Sequence, residues 1–121
     1  MSDEDIYSSV PEEAIDDSYL MKRFDVLDFL KATPETYHKA KAIAAYCGFP
    51  IRGTQVEVRK AITYLIEIDN QPIVSNAYGF AYTTNPDRLR FYADKLEERM
   101  QGLARRVSKI RLLAEEVSNN G

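Results

Sequence analysis

Thr54-Gln55-Val56-Glu57-Val58-Arg59-Lys60-Ala61-Ile62-Thr63-Tyr64-Leu65-Ile66-Glu67-Ile68 is followed closely by Pro72-Ile73-Val74-Ser75 and then by Gly79-Phe80-Ala81-Tyr82. In the first run Val58, Ala61, Ile62, Leu65 and Ile68 recur at spacings of three and four, which lines one side of an α-helix. Val56, Arg59, Lys60, Thr63 and Glu67 fall on the other side and are expected to face outward. Thr54 and Glu57 have the spacing of a capping box, threonine bonding forward and the carboxylate reaching back. The helix is predicted to stop near Asp69-Asn70. From Gln71 the period drops to two, which predicts a β-hairpin with Ser75-Asn76-Ala77-Tyr78-Gly79 as its loop.

Working back toward the N-terminus, Leu20, Phe24, Leu27 and Leu30, with Met21, Val26 and Phe29, predict a first amphipathic helix over 19–32. Thr33-Pro34-Glu35 then has the chemistry of a helix start: a capping hydroxyl, a proline whose missing N–H costs nothing there, and an acid at the positive end. The second helix is predicted from this point to Cys47. Its small face (Ala40, Ile43, Ala44, Cys47) allows close approach, and Gly48 supplies the left-handed residue that ends it. Residues 49–53 make a short connection to the third helix.

Working forward, Asn85 and Pro86 form another cap and first position. Leu89, Leu96, Leu103, Ile110 and Val117 then follow at intervals of seven, with Ala93, Met100, Val107, Leu113 and Ala114 between them. This predicts one long helix over 85–118 with a coiled-coil seam. About 32 residues would extend about 48 Å, more than a domain of this size covers. Leu96, Leu103, Val107, Ile110, Leu113 and Val117 are therefore expected to form a homodimer contact; the alternative is a helix folded back on its own domain, bent at Gly102.

Charge divides the chain unevenly. The 121 residues carry a net −3, yet residues 1–17 contain seven acids (Asp3, Glu4, Asp5, Glu12, Glu13, Asp16, Asp17) and no base. Residues 18–121 hold 16 basic against 12 acidic side chains, a balance of +4. The acidic segment is too polar to offset its ordering entropy and is expected to remain solvated, either binding a partner protein or competing for the chain's own basic surface. Three regions are expected: the acidic tail (1–17), a helical domain with the hairpin (18–84) and the long helix (85–118).

Several function classes have no residues to carry them. The single cysteine, Cys47, makes no internal disulfide, and with His38 as the only histidine no zinc cluster is expected. No glycine-rich phosphate loop, Gly-x-Ser-x-Gly elbow or histidine-centred triad is present, so neither enzymatic activity nor a cofactor is expected. No apolar run approaches membrane-spanning length and the first residues lack a secretory profile, so no membrane partner and a cytoplasmic location are expected.

The capped third helix with Val58, Ala61, Ile62 and Leu65, then Pro72-Ile73-Val74-Ser75, a short loop and Gly79-Phe80-Ala81-Tyr82, resembles the winged helix-turn-helix domain of biotin repressors and of small bacteriophage DNA-binding proteins. The resemblance covers residues 36–84, and the basic helix continuing to Arg111 is similar to the phage type. It implies a mainly α fold with a small β-hairpin, a winged helix-turn-helix followed by a long coiled-coil helix. It also implies a dimeric, sequence-specific binder of double-stranded DNA acting in transcription regulation, replication or recombination. Arg52, Gln55, Val56, Arg59 and Thr63 are the candidates for reading base edges, by amide, guanidinium and methyl contacts in the major groove. Lys39, Lys41, Thr54, Lys60, Ser75 and Asn76 are the candidates for the backbone. The hairpin loop has no Arg or Lys, which leaves open a second function, a winged helix that binds protein without reading DNA.

Overall fold

The structure, a computed structural model, describes residues 17–120. The expectation of a solvated tail over 1–17 lies outside these residues except at Asp17, which opens a 3-10 segment. The chain divides into two units after Leu89.

In the first unit a 3-10 segment, Asp17–Lys22, leads into α1 (Arg23–Ala32), α2 (Ala40–Cys47) and α3 (Val56–Glu67), followed by β1 (Ile73–Asn76) and β2 (Gly79–Tyr82). The strands pair antiparallel, Ile73 with Tyr82 through Asn76 with Gly79. The fold is thus mainly helical with one small hairpin, as the periodicities predicted. Val26 and Leu30 of α1, Ala40, Ile43 and Ala44 of α2, and Val58, Ala61, Ile62 and Leu65 of α3 close the core with Phe49, Ile73 and Phe80. Each large aliphatic side chain buried there contributes about 1.5–3 kcal/mol. Ile68, expected on the same stripe, is exposed because α3 ends one residue before it.

Several local expectations need correction. The first helix opens as a 3-10 turn, and its α-helical part begins only at Arg23. Arg23 donates to Asp69 through Nε (2.6 Å) and Nη2 (3.3 Å), clamping the start of α1 to the residues just past α3. The hydrogen bond and charge of Asp69 push the guanidinium still further toward its charged form.

Thr33-Pro34 does not start α2, which begins seven residues after Thr33. The intervening chain bonds the hairpin instead: the Glu35 N–H donates to the Tyr82 carbonyl (2.8 Å), and His38 and Phe80 exchange backbone N–H···O bonds at 2.8 Å each way. The end of α2 follows expectation, with Gly48 left-handed at φ 76°. At α3 the capping box is absent. Gln55 occupies the cap position in a left-handed conformation (φ 54°) with no side-chain bond to the helix, and Glu57 pairs with Arg52.

The hairpin loop is shorter than expected, only Ala77 and Tyr78. The Asn76 carboxamide oxygen accepts from the Tyr78 N–H at 2.8 Å, a local bond that stabilises the tight turn. Gly79 follows at φ 124°, where the hairpin runs against His38 so closely that no side chain fits.

Glu35, read from sequence as a first-turn acid, is a junction. Its φ is 68°, and its carboxylate accepts from the buried Thr83 hydroxyl (2.7 and 2.8 Å), from the Thr84 N–H (3.2 Å) and from Arg88 (3.0 Å). The Thr83 hydroxyl in turn accepts from the Asn85 N–H at 3.0 Å. Glu35→Ala leaves the Thr83 hydroxyl without its acceptor and is expected to cost about 1–3 kcal/mol in urea unfolding followed by near-ultraviolet dichroism. Glu35→Gln keeps an acceptor and loses only a half-exposed ion pair, so it should recover most of that stability. Equal losses in the two variants would show that the hydroxyl contact is unimportant.

The last helix, α4 (Pro86–Asn120), has 35 residues and runs without a break through Gly102. Its start follows expectation, the Asn85 side-chain oxygen accepting from the Asp87 N–H at 2.9 Å. None of its residues is buried. No helix among the described residues is long and apolar enough to cross a membrane.

Candidate nucleic-acid interface

The expected reading surface is built by the turn after α2 and the first turns of α3. Residues 49–53 lie in the connection between α2 and α3, and the Gln55 N–H donates to the Arg52 carbonyl at 3.0 Å. The Gln55 carbonyl then accepts the first helical bond, from the Arg59 N–H at 3.1 Å. This fixes Arg52, Thr54, Gln55 and Arg59 around one helix end. Gln55, Val56 and Thr54 are half-buried, and the Arg52 side chain is exposed while its guanidinium bonds the Glu57 carboxylate.

Arg59 and Lys60 depart from the outward orientation expected of them. Arg59 is only 7% exposed: its Nε donates to the Thr54 carbonyl and its guanidinium lies 5.7 Å from the Phe80 ring centre. Lys60 is 2% exposed, with its ammonium 5.8 Å from the centre of the Tyr64 ring. Neither cation is open to a duplex in this conformation. Thr63 is half-buried, and its hydroxyl donates to the Arg59 carbonyl of its own helix (3.0 Å), so its methyl group is what it offers a ligand.

The backbone candidates lie on two parts of the fold. Lys39, at the cap of α2, donates through Nζ to the Ala77 carbonyl of the hairpin loop at 2.6 Å, tying the helix to the loop. Lys41, in the first turn of α2, is exposed. Ser75 is half-buried opposite Phe80, while Asn76 is exposed with its oxygen occupied by the Tyr78 N–H. Tyr78, which is not among the sequence candidates, is exposed at the loop tip. Its position in a two-residue turn is the signal that could have found it.

The six expected dimer residues are all exposed, from 38% at Leu96 to 72% at Val117. Phe91, Met100 and Leu112 on the same helix are exposed as well. They belong to the second unit.

Among the described residues no three His, Cys, Asp or Glu side chains come together as a metal site. An open depression of about 350 Å³ is lined by Asp25, Asp28, Phe29, Ala32, Tyr46 and Cys47. Burial, with a smaller contribution from Asp25, pushes the Cys47 thiol above its ordinary range and keeps it neutral, which makes it a poor nucleophile. Comparison with protein-family models, curated proteins and solved structures gives no match to this chain.

Proposed function

We propose that this chain is a winged helix-turn-helix protein of the small bacteriophage type that binds double-stranded DNA as a dimer. The observation that carries the reading is the packing order: α2, a tight turn and α3, then a hairpin whose second strand also bridges back to His38 before α2. In a winged helix the third helix enters the major groove and the hairpin lies beside it. Arg52, Gln55, Val56 and the Thr63 methyl are then the groups for base edges, and Lys39 and Lys41 the exposed cations for phosphate. Arg59 and Lys60 join them only once uncovered. A long helix with an exposed seam would hold two such domains on half-sites about one duplex turn apart. A role in phage transcription control, or as an accessory to replication or recombination, follows from the same resemblance.

The burial of Arg59 and Lys60, with a cation-free hairpin loop carrying an exposed Tyr78, favours a second reading, an adaptor that binds protein. Selection from a random duplex library at low salt separates the two. The DNA reading expects an enriched site with two related halves, and Lys41→Ala should weaken its binding evenly across sequences and reduce the salt slope by about 0.9. Failure to enrich any duplex would reject it.

A further inference from the structure

We propose that two copies of α4, paired along the seam, build a surface for the phosphate backbone of a nucleic-acid duplex on each side of the coil, from Arg106 and Lys109 of one copy and the partner's Arg111. The surface rests on the dimer of the reading above and needs no contact by α3.

The first observation is a stretch of one sign. Residues 99–114 carry Arg99, Arg105, Arg106, Lys109 and Arg111 and no acid, the nearest acids being Glu98 and Glu115. Ion pairs along a helix join residues three or four apart. Arg105, Arg106 and Lys109 have no Asp or Glu within that reach on either side, and Arg111 reaches only Glu115. All four side chains are exposed. A face that served solubility alone would mix the two signs, as Asp94, Lys95, Glu97 and Glu98 do one turn earlier.

The second observation is where these cations lie relative to the seam. At 3.6 residues per turn, Arg106 falls about 70° to one side of the line through Leu96, Met100, Leu103, Val107, Ile110 and Val117, and Arg111 about 70° to the other. These are the g and e positions of the heptad, whose charges set partner and orientation in a paired coil. In a parallel pair the residue at g meets the residue at e in the next heptad of the partner, so Arg106 meets the partner's Arg111. The parallel arrangement brings the N-terminal ends of both helices together, which half-sites about one duplex turn apart favour. Pairing therefore sets guanidinium against guanidinium once on each side of the coil, where opposite charges are usual. Such a contact is unfavourable alone and becomes a site when a polyanion lies across it. Lys109 stands about 60° beyond Arg106 on the same side and extends the surface away from the seam. Arginine forks match phosphate oxygens, and counterions released from a duplex, which carries one charge per about 1.7 Å, supply affinity to a surface made of cations.

The test uses the full chain as native protein, R106E, R111E and R106E/R111E. Dimerisation is read by sedimentation equilibrium without nucleic acid. Either single swap turns both like-charge contacts into ion pairs and should tighten the dimer about tenfold. Each also takes the net charge from −3 to −5, so general repulsion between chains would act the other way. The double swap restores like charges and should return the dimer constant to within about threefold of native. Single swaps that fail to tighten the dimer, or a double swap as tight as the singles, overturn the juxtaposition, as does a native chain that stays monomeric at high concentration. Binding of a short duplex of arbitrary sequence at about 0.1 M salt should fall at least tenfold in the double variant, and Lys109→Gln should reduce the salt slope by about 0.9. Equal duplex affinity in the native chain and the double variant, or no duplex bound by the native chain, overturns the surface. In the first of these cases base reading by α3 still stands or falls on the library selection. Duplex binding weakened in the double variant, with no site enriched from the library, upholds this surface and rejects the sequence-specific reading. Polyglutamate bound as tightly as the duplex overturns the choice of nucleic acid.

Discussion

Gly79→Ala is expected to lower the melting temperature of the helical domain by roughly 12–25 °C, read by differential scanning calorimetry. An added Cβ would stand 2.1 Å from the His38 carbonyl oxygen, 2.4 Å from its carbon and 2.8 Å from the Lys39 nitrogen. All three are backbone atoms, so no side-chain rotation relieves the overlap. The strands would have to separate, giving up the two 2.8 Å bonds between His38 and Phe80, each worth about 0.5–1.5 kcal/mol. The backbone strain at φ 124° adds about 1–3 kcal/mol for any residue with a side chain. A total near 3 kcal/mol is a large part of the roughly 5–15 kcal/mol that holds a domain together, and at about 4–8 °C per kcal/mol gives the stated shift. Gly53 supplies the control. It too is left-handed, at φ 55°, but a Cβ added there would meet no atom within 4 Å, so Gly53→Ala should cost only about 1–2 kcal/mol. If the two variants melt alike, the close approach of the hairpin to His38 is not what secures it.

That contact also marks the boundary of what local sequence could disclose. The α3 core stripe was legible because a spacing of three and four has one geometric meaning, and Asn85 and Gly48 were legible because their chemistry acts within two or three residues. Thr33-Pro34-Glu35 carried equally good local signals for a helix start, yet the chain there bonds Tyr82 and Phe80, more than forty residues away. No local propensity records that partner. The capping box failed for a related reason: Glu57 had the right spacing to Thr54, but Arg52 competes for its carboxylate across the turn. Arg59 and Lys60 show the limit most directly for the candidate interface. A helical wheel states which residues leave the core stripe, whereas their burial depends on what else the fold brings over them. Glu35 was visible only as an acid at an expected helix start, whereas its role needed Thr83 and Arg88 beside it.

Leu103→Asp combined with Ile110→Asp is expected to convert a dimer into monomers in sedimentation velocity while leaving the melting of the helical domain unchanged. The 35 residues of α4 extend about 52 Å, and the heptad positions Leu96, Leu103, Ile110 and Val117 all remain exposed in one chain. Met100 and Val107 complete the same stripe and are exposed too. A second copy is the partner that offers a matching stripe of equal length, since seam residues spaced by seven meet their own kind in a paired coil. Burying such a side chain is worth about 1.5–3 kcal/mol. The double substitution removes four of them from a dimer, about 6 kcal/mol at the low end, and places four carboxylates in the seam where like charges repel. At about 1.4 kcal/mol per tenfold the dimer constant should weaken by more than four decades. Lys109→Asp is the matched control, changing charge next to Ile110 but off the seam, and should leave the dimer intact. Dimers that survive the double substitution would place the contact on another surface. A native chain that sediments as a monomer even at high concentration would reject the dimer, and with it the paired half-sites expected of the DNA target.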